Sequence, residues 1–192
     1  MKKENIHRAL EIGSKILGQK GYHGLGLREF LENAGIPSGS FYYYFKSKED
    51  FAAKVIEHYG EKVANYFNHL LFDNSKPFYN RLEIVFNEEI ERINQTAFTE
   101  GCMIGDLTSE IAGQNTLIQN ISDTNYNRWQ DIFERFFNEG QKEGSFSKSF
   151  NAKEMAIFFL SSRQGALTRV KASRTIEPYK LFQSYMTNLI LN

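Results

Sequence analysis

Hydroxyl, phenol and ammonium groups are concentrated in the stretch SGSFYYYFKSK, which begins at Ser38 and ends at Lys48. Serine and tyrosine hydroxyls bond to phosphate oxygens and reach base edges, and lysines pair with phosphates. These residue types suit a surface that binds a nucleic acid, although a run of aromatic residues suits a packed turn equally well. The candidate binding residues are Arg28, Ser38, Gly39, Ser40, Tyr42, Tyr43, Tyr44, Lys46 and Lys48.

The helix that leads into this stretch is short and amphipathic. Its apolar residues recur at i, i+3, i+4 and i+7, which predicts one buried face. Gly26 stands at the N-cap position, where it is a weaker cap than Ser or Thr, and Gly35 stands at the C-cap position. A longer helix precedes this one and ends at the glycines of GQKGYHGLG. The apolar face of the short helix consists of Leu27, Phe30, Leu31 and Ala34.

A second short helix of about two turns is predicted over SGSFYYYF. Pro37 keeps Ile36 out of the helical region, and Ser38 is placed to cap the new helix. If Phe41 and Phe45 point inward at i and i+4, the hydroxyl and phenol groups between and around them remain outward. The aromatic residues would then divide between core and surface.

Two short helices joined by a tight turn form a helix-turn-helix pattern, in which the second helix enters the major groove. The stretch from Ile6 to Phe51 also resembles the signature of TetR-family transcriptional repressors. The resemblance implies an operator-binding module in which the candidate residues named above contact DNA. The matching residues, which follow AGIPSG, are Gly39, Tyr42, Tyr44, Phe45, Ser47, Lys48, Glu49 and Phe51.

The charge of the chain is unevenly distributed, although the total is zero. The first 48 residues carry eight Lys or Arg against four Glu, a net charge of +4. The remaining 144 residues carry 15 Lys or Arg against 19 Asp or Glu, a net charge of −4. A basic N-terminal quarter on an acidic body is what a polyanion-binding module attached to a second domain would show.

Helical periodicity continues through the rest of the chain, with no sustained alternation of the kind that marks strands. Ser47 is placed to cap a helix that starts at Lys48, and a short helix is predicted from about Met103 to Ala112. We therefore expect an all-α fold of about nine helices. The expected domains are an N-terminal three-helix helix-turn-helix DNA-binding domain over residues 1–48 and a helical ligand-binding and dimerisation domain over residues 49–192.

The last two helices, over about residues 152–191, carry small and apolar residues that allow close helix approach. These residues alone leave intramolecular packing and dimer formation equally open. The resemblance implies a homodimer in which these helices form a four-helix bundle, so that two recognition helices read a palindromic operator of double-stranded DNA. It also implies a small-molecule effector that moves the helix starting at Lys48 and releases the DNA.

Aromatic residues of the middle helices are candidates for lining the effector pocket, although a filled core would use the same residues. Cys102 is a further candidate, because a helix N-terminus favours the reactive thiolate. Glu100 and Asp106 disfavour the thiolate, and a small buried hydrophobe is the competing interpretation. The segment from Glu100 to Ala112 is similar to a subset of the TetR family that includes sensors of electrophiles and oxidants. The alternative function is therefore a thiol-based sensor that uses Cys102. The pocket candidates are Phe67, Phe86, Cys102, Tyr126, Trp129 and Phe133.

The sequence contains no P-loop, dinucleotide-binding glycine pattern or nucleophile elbow, so we predict no enzyme activity, catalytic residue or cofactor. One Glu-x-x-His motif runs from Glu4 to His7, whereas a di-metal bundle needs two, so no metal site is predicted. A single cysteine and the lack of a membrane-length apolar run predict a cytoplasmic protein. A ligand-binding protein with a relic DNA-binding motif is the remaining rival, and the retained Tyr42, Lys46 and Lys48 argue against it.

Overall fold

The computed structural model describes residues 2–191, apart from the side chains of residues 2–5 and Ser38. The Glu4 carboxylate and the Ser38 hydroxyl therefore lie outside the described part. Within that part the regular structure is entirely helical, which confirms the predicted all-α fold, and no helix is long and apolar enough to cross a membrane. The nine α-helices of the described chain are α1 (Lys2–Lys20), α2 (Leu27–Ala34), α3 (Phe41–Tyr44), α4 (Lys48–Leu71), α5 (Phe78–Gln95), α6 (Met103–Leu107), α7 (Thr116–Glu143), α8 (Ala152–Ser173) and α9 (Glu177–Leu191).

The chain divides into two compact units. The first contains the residues up to Lys62 together with Cys102–Asn125, and the second contains Val63–Gly101 and the residues from Tyr126 onward. Helices α4 and α7 each contribute residues to both units. The predicted domain boundary after residue 48 was drawn between a DNA-binding and a ligand-binding function, not between compact units, and it stays a prediction.

The core of the first unit is built around a cluster of phenylalanines from α2, α3 and α4. Phe51 lies at its centre, with its ring centroid 4.3 Å from that of Phe30 and 4.7 Å from that of Phe45. Helix α1 approaches this cluster closely at Gly13, where an added Cβ would lie 2.6 Å from Phe51 Cζ and 2.7 Å from Val55 Cγ2. Helix α1 therefore packs directly on α4, and a larger residue at Gly13 would force them apart.

The core of the second unit is also aromatic, but it surrounds a buried ion pair. The rings of Phe133 and Phe159 stack with centroids 4.4 Å apart. Beside them, Arg163 Nε and Nη2 donate to the two oxygens of Glu89 at 2.7 and 2.9 Å. Burial alone would oppose ionisation, yet Arg163 and Arg92 hold the pKa of the Glu89 carboxyl below its usual value. The carboxylate is therefore charged and paired beside the aromatic core of this unit.

Candidate nucleic-acid interface

The turn between the two short helices has the geometry that its glycine predicts. Gly35 follows α2 in the left-handed conformation, with φ of 64° and ψ of 33°. The N–H of Ile36 donates to the carbonyl of Leu31 at 2.9 Å, which closes the helix end in a Schellman motif. Gly26 stands at the N-cap of α2 and supplies no side-chain hydrogen bond, as expected. The predicted caps of α2 are confirmed.

The segment after the turn differs from the predicted two-turn helix. Residues Ser38–Ser40 form a 3-10 turn, closed by a 2.8 Å hydrogen bond from Ser40 N–H to the Pro37 carbonyl, and only Phe41–Tyr44 are α-helical. Pro37 occupies the cap position of that turn, so the prediction that Ser38 caps the helix is wrong. The helix ends early because Phe45 returns to extended backbone, with φ of −133° and ψ of 129°.

Aromatic residues of this segment divide between core and surface as the i, i+4 spacing predicts. Phe41 and Phe45 are each 2 % exposed, and their ring centroids are 5.3 Å apart. Tyr42 and Tyr43 are 71 % and 66 % exposed, which is unusual for large side chains. Buried phenylalanines thus anchor a four-residue helix too short to be stable alone, and they hold two tyrosines toward solvent.

The other candidate residues of this segment vary in exposure. Gly39 and Lys46 are exposed, whereas Ser40 and Tyr44 are half-buried. Apart from its immediate chain neighbours, an added Cβ at Gly39 would meet no atom within 4 Å, so the backbone there is open to an approaching ligand. Arg28 lies on α2 with its side chain 93 % exposed, and its Nε donates to Glu32 at 3.0 Å. An exposed pair of this kind is weak and leaves Arg28 able to contact phosphate.

The lysine at the start of α4 is oriented by an aromatic ring. Lys48 Nζ lies 4.6 Å from the centroid of the Tyr22 ring, within reach of a cation–π contact. Burial, with the neighbouring Glu49 carboxylate, raises the pKa of Tyr22 to about 12. Tyr22 therefore stays neutral and supports the ammonium group of Lys48 beside the recognition segment.

Helix α4 begins as predicted and supplies a cation that the sequence did not single out. Ser47 Oγ accepts from Asp50 N–H at 3.1 Å, which confirms Ser47 as the N-cap. Asp50 in turn accepts from Lys46 N–H at 2.9 Å and from Lys54 Nζ at 2.8 Å. Lys54 Nζ also lies 3.4 Å from the Tyr44 carbonyl, which adds an exposed positive charge at the end of α3. The sequence feature that predicts the placement of Lys54 is its i, i+4 spacing from Asp50, which favours an ion pair on one face of α4.

The predicted pocket residues do not form one group. Phe67, Trp129 and Phe133 are buried together in the second unit, with the Phe67 centroid 6.4 Å from Trp129 and 4.9 Å from Phe133. Tyr126 contacts Trp129 with centroids 5.4 Å apart, and Phe86 reaches the same cluster through Phe159. Cys102 belongs to the first unit, where it precedes α6 and is 1 % exposed. The burial of Cys102 agrees with the interpretation as a small core residue.

An apolar face on α8 and α9 remains exposed to solvent. Phe158 is 54 % exposed, Leu181 is 59 % and Tyr185 is 69 %. These side chains line a groove with the small residues Gly165 and Ala166, which leave room for close approach by another helix. An exposed apolar patch on two adjacent helices usually marks an interaction surface.

Known proteins match this chain over nearly all of its length. The family model described as "Bacterial regulatory proteins, tetR family" matches residues 10–55, and that described as "Tetracyclin repressor-like, C-terminal domain" matches residues 79–186. The HTH-type transcriptional repressor DhaR of Mycobacterium sp. is 28% identical over 95% of this chain and 90% of its own. The transcriptional regulator AcuR of Cereibacter sphaeroides is 29% identical over 92% and 81%.

Solved structures agree with the sequence comparisons. The crystal structure of regulatory protein TetR from Rhodobacter sphaeroides superposes with a TM-score of 0.88 at 27% identity, covering 95% of this chain and 97% of that one. These relatives are named as transcriptional regulators. The helix-turn-helix geometry, the two matching family models and this superposition show that the chain belongs to the TetR family of transcriptional regulators.

Proposed function

We propose that this regulator is a repressor that binds a palindromic DNA operator as a homodimer and is released by a small-molecule effector. The observation that carries the proposal is the pair of exposed tyrosines, Tyr42 and Tyr43, on a short helix anchored by buried Phe41 and Phe45. The rings of these two tyrosines contact Phe41 and Tyr44, but most of each side chain faces solvent, where a phenol can bond to base edges and phosphates. We also propose that the protein works in the cytoplasm, where it would meet a DNA operator.

The proposed contacts to DNA are of two kinds, those to base edges with nearby phosphates and those to phosphates alone. We assign Tyr42 and Tyr43, with Ser38 and Ser40, to base edges and nearby phosphates, because they surround the N-terminal end of the recognition segment. Arg28, Lys46 and Lys48 would pair with phosphates and set the register, with Tyr44 at the margin of the surface. Gly39 allows the backbone to approach the DNA, since no side chain of the protein covers it.

Dimerisation through α8 and α9 explains their exposed apolar face. Ile157, Phe158, Leu181 and Tyr185 are each between 45 % and 69 % exposed in the single chain. A second copy that packs the same two helices would cover this face in a four-helix bundle with two-fold symmetry. The symmetry predicts an inverted repeat whose half-sites lie about 34–36 Å apart, one turn of DNA.

The effector is proposed to bind among the aromatic residues of the second unit. Phe67, Phe86, Tyr126, Trp129 and Phe133 supply apolar surface, and the Glu89–Arg163 pair beside them supplies polar groups, which is the usual composition of a ligand pocket. These side chains are packed together, so an effector must part them. The chain contains one tryptophan, and a change in Trp129 fluorescence would report entry of a ligand.

A carboxylate near the α1–α2 turn offers a route from the body to the recognition module. Glu110 accepts hydrogen bonds from the backbone N–H groups of Tyr22 and His23, each at 2.9 Å. Glu110 lies on the π-helical turn Thr108–Ala112, which directly follows α6. We propose that effector binding shifts this turn and α4, so that the two recognition helices no longer match successive grooves.

The experiment that tests the proposal is selection of bound duplexes from a random DNA pool, followed by binding titrations. We expect an inverted repeat to be enriched, and Tyr42→Ala to weaken its binding by about tenfold or more. Tyr79→Ala is the matched control, because Tyr79 is an exposed tyrosine on α5 that is 40 % accessible. Failure to enrich any sequence would favour the rival interpretation, a ligand-binding protein with a relic motif.

A further inference from the structure

Two histidines and a glutamate converge where α1 meets α4. His7 and Glu11 lie one turn apart on α1, and His58 comes from the first half of α4. One ligand atom from each lies within 4.8 Å of the other two, and this is the one such three-residue group among the side chains that the structure describes. We propose that His7, Glu11 and His58 form a binding site for a divalent transition-metal ion of the zinc type.

The metal-free geometry is close to what such an ion requires. His58 Nε2 lies 2.8 Å from Glu11 Oε1, and the rings of His7 and His58 meet edge to face with centroids 4.6 Å apart. Tetrahedral zinc with bonds of about 2.0–2.2 Å holds its ligand atoms roughly 3.3–3.5 Å apart. A separation of 4.8 Å must therefore close by about 1.5 Å and the His58–Glu11 separation must open by about 0.5 Å, changes of the size that side-chain rotation produces.

Burial and partners give the three ligands different roles. The His58 side chain is 10% exposed and is oriented by Glu11, so it forms the fixed part of the site. His7 is exposed and completes the site from the solvent side. Without a metal, His58 Nε2 donates its proton to the Glu11 carboxylate, so binding an ion through Nε2 requires that proton to move to Nδ1 or to leave to solvent, and the metal then replaces the hydrogen bond. A fourth position remains for water or an external ligand.

A lysine occupies the carboxylate when no metal is bound. Lys62 Nζ, one turn beyond His58 on α4, lies 2.8 and 2.9 Å from the two oxygens of Glu11. The Lys62 side chain is 56% exposed, so it can withdraw into solvent when an ion takes its place. The ammonium group and the metal therefore compete for the same carboxylate, and removing Lys62 is expected to strengthen metal binding. Adventitious binding to a surface histidine would show no such response.

The test is isothermal titration of Zn²⁺ into the full chain after removal of any purification tag. We expect one strong site per chain, and His7→Ala should weaken it at least tenfold without harm to folding, because His7 is exposed. Lys62→Ala should bind Zn²⁺ about two- to fivefold more tightly, as expected from loss of a weak, exposed ion pair. His69→Ala is the matched control, since His69 is an exposed histidine on the same helix, and its titration should equal that of the wild type.

Three results would overturn the site. Wild-type chain that binds no Zn²⁺ tighter than about 100 µM has no specific site, since three converging ligands should bind more tightly than isolated histidines. Equal binding by His7→Ala and wild type would remove His7 from the ligand set. Unchanged or weaker binding by Lys62→Ala would show that Glu11 does not ligate the ion.

Discussion

Replacing two exposed apolar residues on α8 and α9 should convert the protein from a dimer to a monomer. Phe158 and Leu181 are more than half exposed in the single chain, so Phe158→Glu with Leu181→Glu leaves the internal core of the protomer intact. In the proposed dimer the same side chains are covered by the second copy. The double substitution removes their burial and places carboxylates where water is excluded.

The expected loss follows from the exposed fractions. Full burial of a Phe or Leu side chain is worth about 1.5–3 kcal/mol, so the 54 % and 59 % still exposed correspond to about 1–1.5 kcal/mol each. Two residues in each of two protomers give about 4–6 kcal/mol. At 1.4 kcal/mol for each factor of ten, the dimer dissociation constant should rise by at least about a thousandfold.

Sedimentation velocity at micromolar concentration measures this change directly. We expect wild-type chain to sediment as a dimer and the double variant as a monomer with unchanged circular dichroism. Leu117→Glu serves as the control, because Leu117 is 48 % exposed but lies on α7. A double variant that still sediments as a dimer would refute the assignment of this face as the interface.

Three further predictions concern other parts of the molecule. Gly39→Ala should leave the melting temperature unchanged, because the added Cβ meets no atom beyond its chain neighbours. The same substitution should weaken operator binding at least about tenfold in anisotropy titrations, and an unchanged affinity would show that the DNA does not approach the backbone at Gly39. Cys102, at 1 % exposure, should react with Ellman's reagent only after unfolding, and rapid reaction of the native chain would instead support the thiol-sensor alternative. Glu89→Gln should cost about 3–5 kcal/mol in urea unfolding at pH 7, since it leaves buried Arg163 without its carboxylate. Burial opposes ionisation of Glu89, but Arg163 and Arg92 outweigh it and lower the pKa of Glu89 in the folded state. The stability that the ionised Glu89 contributes is therefore complete above the ordinary carboxyl pKa of about 4.3 and is lost as the pH falls further. The stability difference between wild type and Glu89→Gln should therefore narrow in acid, and a difference independent of pH would contradict the pairing.

Local features of the recognition module could be predicted from the sequence because they depend on neighbouring residues. Gly35 ends α2 in the left-handed conformation that glycine permits, and the spacing of Phe41 and Phe45 determines which aromatic residues are buried. The 3-10 turn could not be predicted in this way, because N-cap preference favours Ser38 over Pro37, whereas Pro37 takes the cap position in the fold.

Contacts between distant segments could not be predicted in the same way. Glu110 binds the backbone of Tyr22 across 88 positions of sequence, and no periodic pattern relates the two. Likewise His58 joins His7 and Glu11 only because α1 packs on α4, whereas the sequence offered only the Glu4-to-His7 spacing. The five aromatic pocket candidates lie in the second unit, whereas the sixth candidate, Cys102, lies in the first.

The central claim is that the exposed segment after Gly35 reads DNA sequence. Anisotropy titration of the wild-type chain against the selected inverted repeat and against a scrambled duplex of equal length, at one fixed salt concentration, tests it most directly. The account predicts a preference for the inverted repeat of at least about a thousandfold. Equal affinity for the two duplexes would contradict it.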